Sequence, residues 1–430
     1  MTRQPQRLRR LWQWSLALAA LLAGSARGAP VIEAEGLDEA QRATLEQLVT
    51  EVSQARGLDL VEPLRVSVMT LEELQGILMH QLNLEYTEGR LEGQSIVLQT
   101  LGVLPPGYDI KSGLSALLME QIGGLYDDET RRLCVMEWIN LNSETARLIL
   151  AHEITHALQD QHFHLAESPI HAKGNDDRAI AALAMLEGDA MITMSEVAML
   201  HGGVRFFIEM PQLLAMDQRA LLATPPFIQG QLFFPYLNGQ SFLMRSVLGP
   251  QGRAAADQFM TEWPESTEQL LHPERSAMRG GQVDRPTPIT LDAHAWGLPE
   301  DWTLSESNVL GEFALRQIFQ QASESDAEGI AAGWDGDRWE VWRQPESGLA
   351  ALLWSSVWDT PQDAREFALA LRRLLEHATL TSVVDPEGRA VFAEPRFAVV
   401  CRGATVHAAV WNETGGVTLT PPETTIDRVE

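Results

Sequence analysis

Lysine is nearly missing from this chain of 430 residues: only Lys111 and Lys173 occur, and arginine carries the rest of the positive charge. Acids outnumber bases 59 to 32, leaving a formal net charge of -27. A field of that sign repels phosphate backbones and anionic headgroups, so nucleic acid is excluded as an expected partner. Cysteine is equally scarce. Cys134 and Cys401 are the only two and form no Cys-x-x-Cys pair, which excludes a cysteine-based zinc or redox site. They are expected as one bridge joining distant parts of the chain or as two separate buried thiols. No long apolar run follows the first thirty residues.

The N-terminus itself has a distinct pattern. Arg3, Arg7, Arg9 and Arg10 precede an apolar run from Leu11 to Ala23, followed by the small-residue segment Gly24 to Ala29. This is the pattern of a secretory signal peptide over residues 1–28, too short for the ~20 residues of a membrane span. Export to the periplasm or the medium is therefore expected, with no stable membrane insertion after cleavage. Removing the segment takes away five arginines and no acid, and moves the charge from -27 to -32. The remaining chain exceeds what one core usually holds, so two domains are expected, 29–295 and 296–430.

Against this background the stretch Ala151-His152-Glu153-Ile154-Thr155-His156 stands out. Histidines at i and i+4 share one face of a helix, so His152 and His156 can hold one ion. Glu153 can then lie beside a metal-bound water as a general base. From Ser143 or Asn142 to Phe163 there is no proline or glycine, which predicts a capped helix. The bland alternative is a pair of hydrogen-bonded core histidines with a surface Glu153.

A catalytic zinc usually takes a third protein ligand and keeps a fourth position open. The segment Ala179 to Met194 is apolar on every face except at Glu187 and Asp189, which flank Gly188. Ionised carboxylates in such a helix are costly unless paired or bound to metal. Residues two apart point about 200° apart, so only one can face the ion. Glu187 has the longer reach and completes a His/His/Glu set like that of thermolysin-type enzymes. Asp189 is expected to support a ligand or to partner backbone or arginine. Gly188 costs about 1 kcal/mol in a helix interior and suggests close approach of another backbone. Asp160, four residues beyond His156, is the candidate for orienting a ligand. Tyr236 and His272 are candidate donors to a developing oxyanion, although packing or loop roles are the more ordinary explanation for each.

Elsewhere the pattern predicts a helix from Leu37 to Ala55, a strand from Leu64 to Met69, and a helix opened by the capping box Thr70 to Glu73. A turn and a strand containing LCVMEW precede the HExxH helix; a free strand edge there could hold an extended peptide, and an ordinary paired strand is the equal alternative. Residues 278–302 read as a linker or crossing loop. Beyond them, a helix from Ser305 to Gln321 and the order αββαββ predict a small α+β domain, for which a ferredoxin-like arrangement is one candidate.

The stretch His152 to Phe163, HEITHALQDQHF, also resembles the active-site helix of a family of poorly characterised exported prokaryotic zinc metallopeptidases carrying AHELTHALQDQ. Further matching segments occur in order: Gly124 to Asp127, Glu187 to Ala190, Phe234-Pro235-Tyr236 with Gly239 and Phe242, Ser266 to Pro273, and Gly333 to Arg338. Ile154, where leucine is common, and Cys134 are departures that leave the ligands untouched. The resemblance implies a gluzincin-like peptidase with an α+β zincin core, mostly helical around a small sheet. In it one catalytic Zn2+ is held by His152, His156 and Glu187, with Glu153 as base and a peptide or protein as substrate. Two rivals remain: a catalytically silent, zinc-stabilised envelope binding or adaptor protein on the same fold, and a metal-independent helical scaffold.

Overall fold

The computed structural model describes residues 32–85, 88–121, 124–200, 219–275, 283–413 and 417–426, so the expected signal peptide lies outside the described residues. The fold is α+β with two sheets. The first has β1 (Ile32–Glu35), β2 (Leu64–Met69), β3 (Gly124–Asp127) and β4 (Arg132–Met136) in the order β1-β2-β4-β3. Strands β1, β2 and β4 are parallel, and β3 runs antiparallel along the edge. The second is antiparallel throughout: β5 (Thr303–Asn308), β6 (Trp334–Arg343), β7 (Ala350–Trp358), β8 (Pro395–Arg402) and β9 (Thr405–Asn412), in the order β5-β6-β7-β9-β8. The longer helices are α1 (Glu39–Arg56), α2 (Leu71–Glu85), α3 (Glu88–Thr100), α4 (Ile110–Gln121), α5 (Glu144–Phe163), α6 (Asp176–Leu200), α7 (Pro226–Val247), α8 (Gly311–Gln321) and α9 (Pro361–His377). No helix among the described residues is long and apolar enough to cross a membrane.

Helix α5 begins where Ser143 accepts a hydrogen bond from the Ala146 N–H. Its Leu150, Ala151, Ile154, Ala157 and Leu158 pack with Leu45, Leu48, Val49 and Val52 of α1 under Leu64, Val66, Leu133 and Val135 of the sheet. Helix α6 lies against α5 and is apolar around most of its circumference because α7 covers it as well, through Phe234, Phe242 and Leu243. The two helices meet backbone to backbone, as the cost of a mid-helix glycine suggested. A Cβ on Gly188 would stand 2.3 Å from the Gly239 carbonyl carbon, and one on Gly239 would stand 2.0 Å from the Ala184 oxygen. No side chain larger than hydrogen fits at this crossing, and the crossing sets where Tyr236, one turn before Gly239, can reach.

Of the two alternatives for the LCVMEW strand the paired one holds: it is β4, flanked by β2 and β3, and β3 is the terminal strand of the sheet. Two expectations change. The stretch from Ser305 is not helical at its start: Thr303–Asn308 is β5, and α8 begins only at Gly311. The physical stop is Asp337, whose buried carboxylate accepts the Leu310 and Gly311 N–H groups at 3.1 and 2.9 Å. The second sheet is not ferredoxin-like. There a βαβ unit leaves room for a strand between its two strands, whereas β5 and β6 pair directly and antiparallel. The described residues of the 278–302 segment cross one face of this sheet, where Trp296, Leu298 and Trp302 pack on Leu353, Ala409 and Trp411. On the other face a single core joins Ile96, Leu101 and Phe227 to Trp339, Trp354 and Phe367. Residues on both sides of position 295 therefore share one core. Cys134 is buried and Cys401 half-buried, and both are free thiols, so no bridge links them.

The N-terminus of α6 is tied to the start of the short helix Glu268–Leu271 through Asp177, which accepts the Thr267 N–H at 3.1 Å and the Thr267 hydroxyl. Burial pushes the Asp177 carboxyl up to about 8 against the pull of those bonds, and the Asp337 and Glu312 carboxylates add to the rise. A folded-state value above the unfolded one means the native chain binds a proton that the unfolded chain has released. The Asp177 contribution to stability is thus fully present below about pH 4 and is lost as pH rises toward 8. Asp177→Asn removes that dependence. Denaturant unfolding from pH 5 to 8 is expected to show wild type losing stability relative to the variant by up to about 1.4 kcal/mol per pH unit. Parallel profiles would show that Asp177 is ionised throughout.

Candidate metal centre

Three side chains from α5 and α6 converge. His152 Nε2 is 3.0 Å from Glu187 Oε2 and 3.0 Å from His156 Nε2, and His156 Nε2 is 3.6 Å from Glu187 Oε2. Donors on a tetrahedral zinc with bonds of about 2.0–2.1 Å stand ~3.3 Å apart, so this triangle has the right size and the right chemistry for the ion. Among the described residues it is the one group of three or more His, Cys, Asp or Glu side chains close enough to share a metal. The three side chains are 11–14 % exposed, which leaves a way in for water or substrate.

The electrostatics have the same origin. Burial disfavours a charged His156, but the Glu187 carboxylate outweighs it and holds the imidazole up to about 9. Glu187 in turn is held well below the usual carboxylate range, where the two imidazoles overcome the desolvation that opposes its charge. Without a cation, a proton between histidine and glutamate neutralises the cluster; a divalent ion would take that proton's place.

Glu153 is not one of the three converging groups; its Oε2 accepts the Tyr126 N–H of β3 at 2.8 Å, and its charge is still felt by His156 and Tyr236. Tyr236 reaches in from α7: its ring stacks on His152 at a centroid distance of 6.1 Å, close enough for the Glu187 carboxylate to act on its phenol. Burial, reinforced by the Glu187 and Glu153 carboxylates, drives its phenol well above the ordinary value. The phenol is consequently a neutral donor.

Asp160 does not orient a ligand. Its carboxylate takes the Tyr126 hydroxyl at 2.8 Å, the Arg131 Nε at 3.1 Å and the Leu165 N–H at 3.1 Å. The orienting group is Gln159, whose Oε1 lies 2.8 Å from His156 Nδ1 and whose Nε2 donates to Asp189 Oδ2 at 2.9 Å and to the Leu186 carbonyl at 3.1 Å. With its amide nitrogen donating to two acceptors, Gln159 presents its oxygen to the imidazole. In its neutral form His156 then carries its proton on Nδ1, which leaves Nε2 as the candidate metal donor. Of the roles expected of it, Asp189 takes that of a partner for arginine, receiving Arg56 Nε at 2.5 Å and Arg253 at 2.9 Å, and it meets His156 only through Gln159. His272 is not part of the centre: its Nε2 pairs with Glu312 Oε1 at 2.9 Å.

Sequence reasoning passed over Gln159, Tyr126, Arg56 and Arg253. Gln159 had a usable signal, being three residues beyond His156 on the same helical face; the other three depend on tertiary contacts. Gln159→Leu fills the same volume without an acceptor, so the fold is expected to survive while zinc affinity falls about 10- to 100-fold. Competition with a chromophoric chelator measures it, and unchanged affinity would rule out the orienting role.

A family described as Domain of unknown function (DUF8575) matches residues 302–420, which run from β5 past β9. No curated protein and no solved structure matches the chain. The matched residues form the second sheet and its helices, whereas every group of the candidate metal centre lies between Tyr126 and Arg253 or on α1. The centre must therefore be understood from its own geometry.

Proposed function

We propose that this protein is an exported, zinc-dependent peptidase built on a zincin-like core and related to the metallopeptidases that its active-site helix resembles. The observation that carries the reading is the division of labour along one helix. His152 and His156 converge with Glu187, while Glu153, the residue after His152, stays out of the triangle and meets the terminal strand of a sheet. A structural zinc site closes all four positions and has no use for a carboxylate beside its ligands.

His152, His156 and Glu187 would hold the ion. Bound there, zinc supplies Lewis acidity, polarising a scissile carbonyl and bringing a water's pKa to about 7. Glu153 takes the proton of the attacking water and delivers it to the leaving amine. Tyr236 donates to the carbonyl oxygen as charge builds on it. An extended peptide adds to the outer edge of β3 by main-chain hydrogen bonds, which orients the bond to be cut.

The test is metal analysis and peptide-library cleavage on the mature chain before and after chelation. About one zinc per chain, with cleavage lost on chelation and restored by zinc, supports the peptidase. Retained zinc with no cleavage favours the binding or adaptor role, and absence of zinc removes the centre altogether.

A further inference from the structure

Tyr126 holds two carboxylates of α5 at once. Its N–H donates to Glu153 Oε2 and its hydroxyl to Asp160 Oδ2, each at 2.8 Å. Glu153 and Asp160 are seven residues apart, about two helical turns on the same face. One residue of the edge strand therefore fixes the register of β3 over the metal helix. Arg131, at the foot of the β3–β4 hairpin, strengthens the anchored end through its own bond to Asp160.

The direction of that N–H matters. Alternate residues of an antiparallel strand turn both main-chain polar groups toward the partner and away from it. Tyr126 is opposite Leu133 of β4, yet its N–H goes to Glu153, so it is one of the outward-facing residues of the edge. The same N–H is a donor that an added peptide strand would need. Parking of Glu153 and pairing of a peptide at Tyr126 exclude each other.

We propose that Tyr126 is a positioning residue that parks the base on the strand edge and hands it over when a peptide carbonyl takes its N–H. The handover rests on the peptidase reading above; the parking does not. It would keep the Glu153 carboxylate engaged until substrate main chain is in register, coupling binding to readiness for proton transfer.

Amide hydrogen exchange over residues 124–127 tests both parts. The Tyr126 amide is expected to exchange slowly in wild type and in Glu153→Gln, which keeps an acceptor, and about 10-fold or more faster in Glu153→Ala. Equal protection in Glu153→Ala would overturn the parking. In zinc-loaded Glu153→Ala, a hydroxamate carrying an extended tripeptide should restore slow exchange, whereas acetohydroxamate, which occupies only the metal, should not. A tripeptide hydroxamate that binds and leaves the amide fast would overturn the handover. If neither hydroxamate shifts the melting temperature of the zinc form, the peptidase reading falls and takes the handover with it, while the Glu153→Ala exchange still decides the parking. Tyr126→Phe, which loses only the Asp160 anchor, should lower kcat about 10-fold with KM and zinc content unchanged; a change in KM alone would assign Tyr126 to binding.

Discussion

Glu153→Gln is expected to bind zinc as wild type does and to cleave peptides about 10²- to 10⁴-fold more slowly. The substitution conserves shape and leaves an oxygen to accept the Tyr126 N–H, so the strand edge and the helix keep their places. What it removes is the capacity to accept a proton. His156→Ala has a different signature, because it takes away one corner of the donor triangle and should lose metal and cleavage together. Zinc stoichiometry by atomic absorption, set beside kcat for both variants, separates base from ligand. If Glu153→Gln cleaved as fast as wild type, the proton would be going elsewhere and the role given to Glu153 would be withdrawn.

The centre was largely readable because its logic is local. His152 and His156 share a face by helical spacing alone, and Glu187 was conspicuous as a carboxylate inside an apolar helix. Gly188 was readable for the same reason: a costly residue in a helix interior needs a compensating contact, and Gly239 is that contact. Asp160 shows where local reasoning ends. Its spacing from His156 suits an orienting role, but the β3–β4 hairpin brings Tyr126 and Arg131 to it instead. The second sheet failed at the same level. The alternation of Thr303–Asn308 is weak, and what stops α8 from extending back over it is Asp337, 26 residues beyond Gly311. Pairing order was out of reach as well, because the choice between a ferredoxin-like order and β5-β6-β7-β9-β8 lies in contacts between elements.

Arg56→Ala is expected to cost about 3–5 kcal/mol of stability and, through Asp189, to weaken zinc binding too. Arg56 is the last residue of α1 and is fully buried, with Nε on Asp189 at 2.5 Å and a terminal nitrogen on Asp257 at 2.6 Å. Burial opposes its charge, but the two carboxylates outweigh that and raise its pKa. Asp189 has no exposure at all, so losing Arg56 strands much of its charge in a medium that cannot solvate it, with Arg253 and Gln159 left as partners. Asp257 is 38 % exposed, so water can replace the arginine there, and Asp257→Asn still leaves the buried Arg56 its partner in Asp189 and should cost less than Arg56→Ala. The contrast between these two variants separates desolvation from simple loss of an ion pair. The same argument predicts that Asp189→Asn, placed on Arg56→Ala, recovers part of the loss, because a neutral amide no longer needs the missing cation. Zinc affinity reports the other end of the chain of contacts: a disturbed Asp189 no longer holds Gln159, and Gln159 no longer fixes the His156 imidazole. Urea unfolding of the single and double variants, with chelator competition on each, would measure both effects. Additive losses in the double variant would show that Arg56 stabilises the fold by packing, independently of Asp189.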